Sequence, residues 1–207
     1  MKETSARKNI LDKIKAALAK PTPLPFKEQV DKPLFHSPPE DPTVLFAEQF
    51  TGLGGKFSFC LSDAEFASSF VQLCAANKWE KVYCAEPALM ALFPAMQWHP
   101  DVASCDVSLT SCERLVARTG SMLLSSAAGR VASVYAPVHV CAARTSQMVY
   151  EISDALDVTQ GKYGQNLPSL ITLATGPSRT ADIEKTLVVG VHGPKEVYCF
   201  LIDDEGL

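Results

Sequence analysis

A chain of 207 residues, 47% hydrophobic and 20% charged, is long enough to bury one sizeable core and carry an appended arm. A net charge of −4 argues against nucleic acid as the main partner, because phosphate binding needs a concentrated basic surface. No run reaches the roughly 20 apolar residues of a membrane helix, and the first residues lack the apolar core of a signal peptide, so the expected compartment is the cytoplasm.

The charge is uneven. Lys2, Arg7, Lys8, Lys13, Lys15 and Lys20 stand against only Glu3 and Asp12 in the first twenty residues. There Thr4 and Ser5 are candidate N-caps, and Ala6, Ile10, Leu11, Ile14, Ala17 and Leu18 fall on one stripe with the bases largely opposite, which predicts an amphipathic helix. Such a stripe packs on its own domain or docks on a partner, including a second copy in a homo-oligomer. Prolines at 21, 23, 25, 33, 38, 39 and 42 then forbid a regular helix or a central strand and predict an extended arm. The expected organisation is a helix and Pro-rich arm over 1–43 and an α/β domain over 44–207.

Within the domain, 54–61 reads as a strand after a glycine turn, Asp63 as the cap of a helix through Lys78, 81–85 as a strand, and Pro87 as the start of a short helix to Phe93. The runs 121–126, 131–135 and 138–143 read as strands, followed by a helix near Ser146 to Leu156 and strands at 169–175, 187–191 and 196–203. Strand and helix alternate, which predicts a largely parallel sheet with helices on its faces. The last run is apolar on both alternating sets, as in a strand buried on both sides.

Seven cysteines at 60, 74, 84, 105, 112, 141 and 199 are odd in number, form no CxxC pair and sit in apolar surroundings. They read as reduced, buried thiols and give neither a disulfide framework nor a metal or cluster ligand set. No His or Cys/His spacing suits a metal, and the glycines of TGLGG (51–55) do not complete a dinucleotide fingerprint, so no metal and no cofactor is expected. His139, between Val138 and Val140, reads as a hydrogen-bonded core or edge histidine.

The polar residues of interest lie between two apolar runs, in TGPSRTADIEKTLVVGVHGP (175–194). Gly176 follows a strand, Pro177 suits a first helical position, and Thr175 is available to cap it. A helix start at the carboxyl edge of the sheet would aim backbone N–H groups outward beside Ser178, Arg179 and Thr180, a set suited to a carboxylate or phosphate. The alternative is that Arg179 pairs with Asp182 and fastens the turn. Asp182 and Glu184 are candidate acids or bases, or orient Arg179. His192, beside Gly193, is either a proton shuttle or a hydrogen-bonded turn residue.

These two blocks, TGPSRTADIE and GVHGP, followed by a closing apolar strand, resemble the lactate-utilisation (LUD) domain family. The resemblance extends back through ARTGSMLLSS (117–126) and APVHVCAARTSQMVYEISDAL (136–156) and covers most of the chain. It implies a Rossmann-like layered α/β fold, similar to the ribose-phosphate isomerase and CoA-transferase group. It also implies an accessory role, beside iron–sulfur oxidoreductase subunits, in oxidising L-lactate to pyruvate. Thr119, Gly120 and Ser121 resemble the family's second block and are placed on the opposite wall of the anion pocket. One departure is Arg118, where the family commonly has an acidic residue. Two other functions remain open: a free-standing enzyme on a phosphorylated or carboxylated metabolite, and a non-catalytic anion-binding assembly module.

Overall fold

A computed structural model describes residues 3–19, 41–129, 131–181 and 187–206, without the side chains of 3–6, 128, 180, 181 and 187. The chain divides at residue 37 into two units. In the first, helix α1 runs Glu3–Leu18, with Lys15 in its last turn, where a cation complements the helix dipole.

The second unit opens with helix α2 (Pro42–Gly52). Asp41 caps it by accepting from Thr43 N at 2.8 Å and Val44 N at 3.2 Å. Pro42 therefore begins a helix rather than ending an extended arm, because a proline at the first helical position lacks only an N–H that would be unpaired anyway. Strand β1 (Lys56–Cys60) leads to helix α3 (Asp63–Asn77), whose cap is Ser62 and not Asp63: the Ser62 hydroxyl accepts from Glu65 N at 3.2 Å. Strand β2 (Val82–Tyr83) and the short helix α4 (Pro87–Met90) follow as expected from the sequence.

Next come β3 (Val107–Ser111), β4 (Arg114–Val116) and β5 (Ser121–Ser125), of which only β5 is predicted by the sequence pattern. The run 131–135, expected as a strand, instead forms helix α5 (Ala132–Tyr135). Strand β6 (Val138–Arg144) precedes the short β7 (Met148–Val149) and helix α6 (Ile152–Tyr163). That helix starts later than expected because Glu151 and Asp154 form a capping box there. The chain continues through β8 (Ile171–Ala174), β9 (Arg179–Ala181), β10 (Leu187–Val189) and β11 (Glu196–Ile202).

Five strands form a wholly parallel sheet in the order β1-β11-β6-β3-β2. A second sheet, β7-β4-β5-β8, is mixed, with antiparallel β4/β5 and β5/β8 pairs and a parallel β4/β7 pair, and β9 and β10 form an antiparallel ribbon. The alternation of β11 explains the double burial: Tyr198, Phe200 and Ile202 enter a core with Phe66, Phe70 and Leu109, while Val197, Cys199 and Leu201 enter another with Phe46, Phe50, Leu115 and Met122. The parallel sheet thus lies between α3 on one face and the second sheet with α2 on the other, a layered α/β fold.

Candidate functional site

The segment after β8 turns at Gly176, whose φ is +97° and whose missing Cβ would lie 3.0 Å from the Leu53 carbonyl oxygen. Only glycine takes that turn against the backbone without strain. Ser178 N donates to Pro194 O at 3.0 Å, and Gly190 N donates to Ser178 O at 3.0 Å. A Cβ on Gly193 would meet Ser178 Cβ at 2.9 Å. Two backbone bonds and one close approach therefore clip the 176–179 and 190–194 segments together.

This clip lines a cleft of about 470 Å³ that gathers Gly176, Ser178, Arg179, His192 and Gly193, five of the residues singled out by sequence. The guanidinium of Arg179 is the formal cation among the described residues of its lining, and none of these is a carboxylate. Arg179 is exposed, and one of its N–H groups donates to the Leu53 carbonyl, which leaves others of its five donors for a ligand. His139 also lines the cleft. It is 1% exposed, its Nε2 lies 2.8 Å from Thr110 Oγ1, and burial pushes its pKa down to about 4, so it is neutral at physiological pH. That agrees with a hydrogen-bonded core histidine and adds a place on the cleft that its sequence context did not suggest.

Three expectations are corrected. Pro177 starts no helix: the chain enters β9 at Arg179, so the cleft draws no donors from a helix N-terminus. Nor is the cleft at the carboxyl edge of the parallel sheet. His139 is the second residue of β6, and Gly193 precedes β11, which places it at the amino ends. Thr119, Gly120 and Ser121 stand behind the lining rather than opposite it. A hydrogen-bonded series runs from Thr119 Oγ1 to Ser121 Oγ (2.8 Å) and on to Thr175 Oγ1 (2.8 Å), and of these only Thr175 lines the cleft. Asp182 and Glu184, the Arg179–Asp182 pair and the Thr180 side chain lie outside the described residues.

Arg118 has a local explanation. Its Nε is 2.8 Å from the Glu151 carboxylate at the start of α6, so the base beside Thr119 and Gly120 meets an acid from another element. Sequence reasoning missed a second cavity, of about 260 Å³, at the ends of β2 and β3. Its residues Glu86, Ser111, Glu113 and Lys162 are scattered over 77 positions of sequence and share no spacing.

A model of the LUD domain matches residues 76–202. Lactate utilization protein C 1 of Bacillus mycoides (strain KBAB4) is 32% identical over 106 residues, which are 49% of this chain and 45% of that protein. Lactate utilization protein C of Bacillus subtilis (strain 168) is 32% identical over 123 residues, 54% and 51% of the two chains. The matched region thus spans about half the length of these curated relatives. The crystal structure of a DUF162 family protein from Deinococcus radiodurans superposes with a TM-score of 0.57 at 19% identity, covering 79% of this chain and 99% of that one. That likeness supports the fold.

Proposed function

Because the chain belongs to the LUD domain family, we propose that it is an accessory subunit of an iron–sulfur-dependent system that oxidises L-lactate to pyruvate, and that it binds a small carboxylate in the cleft beside β9. The observation that carries the binding reading is the meeting of Ser178, Arg179 and His192 in a cleft whose described lining holds no carboxylate. A carboxylate ligand there accepts from the guanidinium in a charge-assisted hydrogen bond. The names of the relatives support the lactate system. The cysteines support an accessory role: Cys60, Cys74 and Cys84 pack in one core, and Cys112, Cys141 and Cys199 in the other, which leaves clusters to partner subunits.

Calorimetry with L-lactate, pyruvate and inorganic phosphate tests the cleft. A charge-assisted hydrogen bond contributes about 1.5–3 kcal/mol, so Arg179→Ala weakens carboxylate binding about tenfold to a hundredfold. Arg179→Lys recovers little, because an ammonium does not reproduce the planar fork. If Arg179 only ties β9 to Leu53, the alanine variant melts lower with unchanged affinity, and the anion reading fails. The partnership is checked by whether iron–sulfur oxidoreductase subunits copurify with the full chain.

A further inference from the structure

The apolar stripe of α1 is open: Ile10, Leu11, Ile14 and Leu18 are 46–78% exposed. A helix of four turns is marginal in water unless such a stripe is buried. Counted at 3.6 residues per turn, Lys8 and Lys15 border one side of the stripe and Lys13 the other. Two such helices brought stripe to stripe would set these bases against each other, and like charges across an interface disfavour it. The stripe therefore calls for an apolar surface with acidic borders. The second unit carries one, a groove of about 810 Å³ whose apolar lining is Val44 and Ala47 of α2, Phe57 and Phe59 of β1 and Met148 of β7. Strand β1 stands at the edge of the parallel sheet among the described residues, and Val44 is 53% exposed. Asp41 and Glu48 border the groove from α2 and its cap, Asp203 and Glu205 from the segment after β11, and its described lining holds no base.

We infer that α1 of one copy lies in this groove of a second copy, with its stripe on Val44, Phe57, Phe59 and Met148 and its bases along the acidic borders, and that the exchange is reciprocal. An amphipathic helix laid in an apolar groove is a recurrent mode of recognition, read through anchors three and four residues apart. Ile10, Ile14 and Leu18 have that spacing. Charge complementarity sets which helix enters: the borders are acidic and α1 is basic. Reciprocal exchange about a two-fold axis repeats the contact, which brings the buried area towards the about 1,200–2,000 Å² of a stable interface. No described residue lines both this groove and the cleft beside β9, so the inference stands apart from the carboxylate reading.

Sedimentation equilibrium of the full chain at about 1–100 µM is the first test, and a dimer is expected. Ile14→Asp on the helix and Val44→Asp in the groove each weaken it about tenfold or more, whereas Arg179→Ala leaves it unchanged. Both positions are exposed, where substitutions change stability little; should either variant lower the urea midpoint, Leu18→Asp and Glu48→Lys give the same readout. The second test locates the contact. Chains carrying Ile14→Cys and Val44→Cys singly are mixed and treated with a bismaleimide, the seven native thiols being buried, and peptide mapping is expected to find position 14 of one chain linked to position 44 of another. The inference is overturned if the parent is a monomer at about 100 µM, if the dimer survives both aspartate substitutions, or if position 14 links to position 14. It is also overturned if a chain carrying both cysteine substitutions links within itself while the mixed single variants do not.

Discussion

Gly120 stands at φ +61°, and a Cβ on it would lie 2.4 Å from the Phe50 backbone nitrogen. Its glycine is needed for close packing of α2 and for a left-handed turn. Gly120→Ala should therefore cost about 1–3 kcal/mol or more of stability, read as a lower urea midpoint at unchanged slope, with little change in lactate affinity. His139 makes a different prediction. Burial lowers its folded pKa to about 4, below the ordinary 6.5, so the unfolded chain binds the extra proton between these values. Stability is then full above pH 6.5 and falls as the pH drops towards 4, by on the order of 3 kcal/mol for this group. Comparing urea midpoints at pH 7.5 and 5 for the parent and for His139→Gln checks it: the substitution should flatten the histidine part of the slope.

At the scale of elements, what the sequence made legible follows from burial. Strand β11 is recognisable because both of its faces are apolar, and α3 because Phe66, Phe70 and Cys74 recur on its buried side. Strand β3 does not stand out in the sequence, since Ser108 and Thr110 occupy one whole face of it; the pairing of Thr110 with His139 across to β6 accounts for the burial of Thr110, while the buried Ser108 hydroxyl has no hydrogen-bond partner among the described residues. The run 131–135 reads as a strand in the sequence, yet the segment closes as one turn of helix over β3. The five residues lining the cleft beside β9 were legible as a polar cluster. Its position at the amino ends was not, because that depends on β8 joining the second sheet. The fastening of α6 to that sheet rests on Glu113, which takes hydrogen bonds from Lys162 and Tyr163 at the end of α6 and from Ser125 of β5. Glu113→Ala strands these donors and should cost about 2–4 kcal/mol, whereas Lys162→Met should cost less, its side chain being 58% exposed. Chemical denaturation of both variants measures the difference.

For the molecule as a whole, all seven cysteines are free and buried. Burial pushes Cys74 and Cys84 up to about 11, and Cys199, fully buried, well above the ordinary thiol value. Reaction needs both thiolate and access. Ellman's reagent at pH 8 should therefore titrate essentially none of the seven within minutes in the native chain and all of them in denaturant. Fast reaction of several thiols without denaturant would contradict the packing.

The strand order has a further consequence for how the protein is made. Strand β11, over residues 196–202, pairs on one side with β1, over 56–60, and on the other with β6. During synthesis, β1 therefore waits for about 140 residues to leave the ribosome before β11, its one partner in the parallel sheet among the described residues, exists. Until then β1 and β6 each present an open edge of backbone donors and acceptors, and such edges template association between chains. Long-range closure of this kind is slow, so nascent chains halted before residue 196 should aggregate or depend on chaperones, and release of the last strand should be the step that makes the fold protease-resistant.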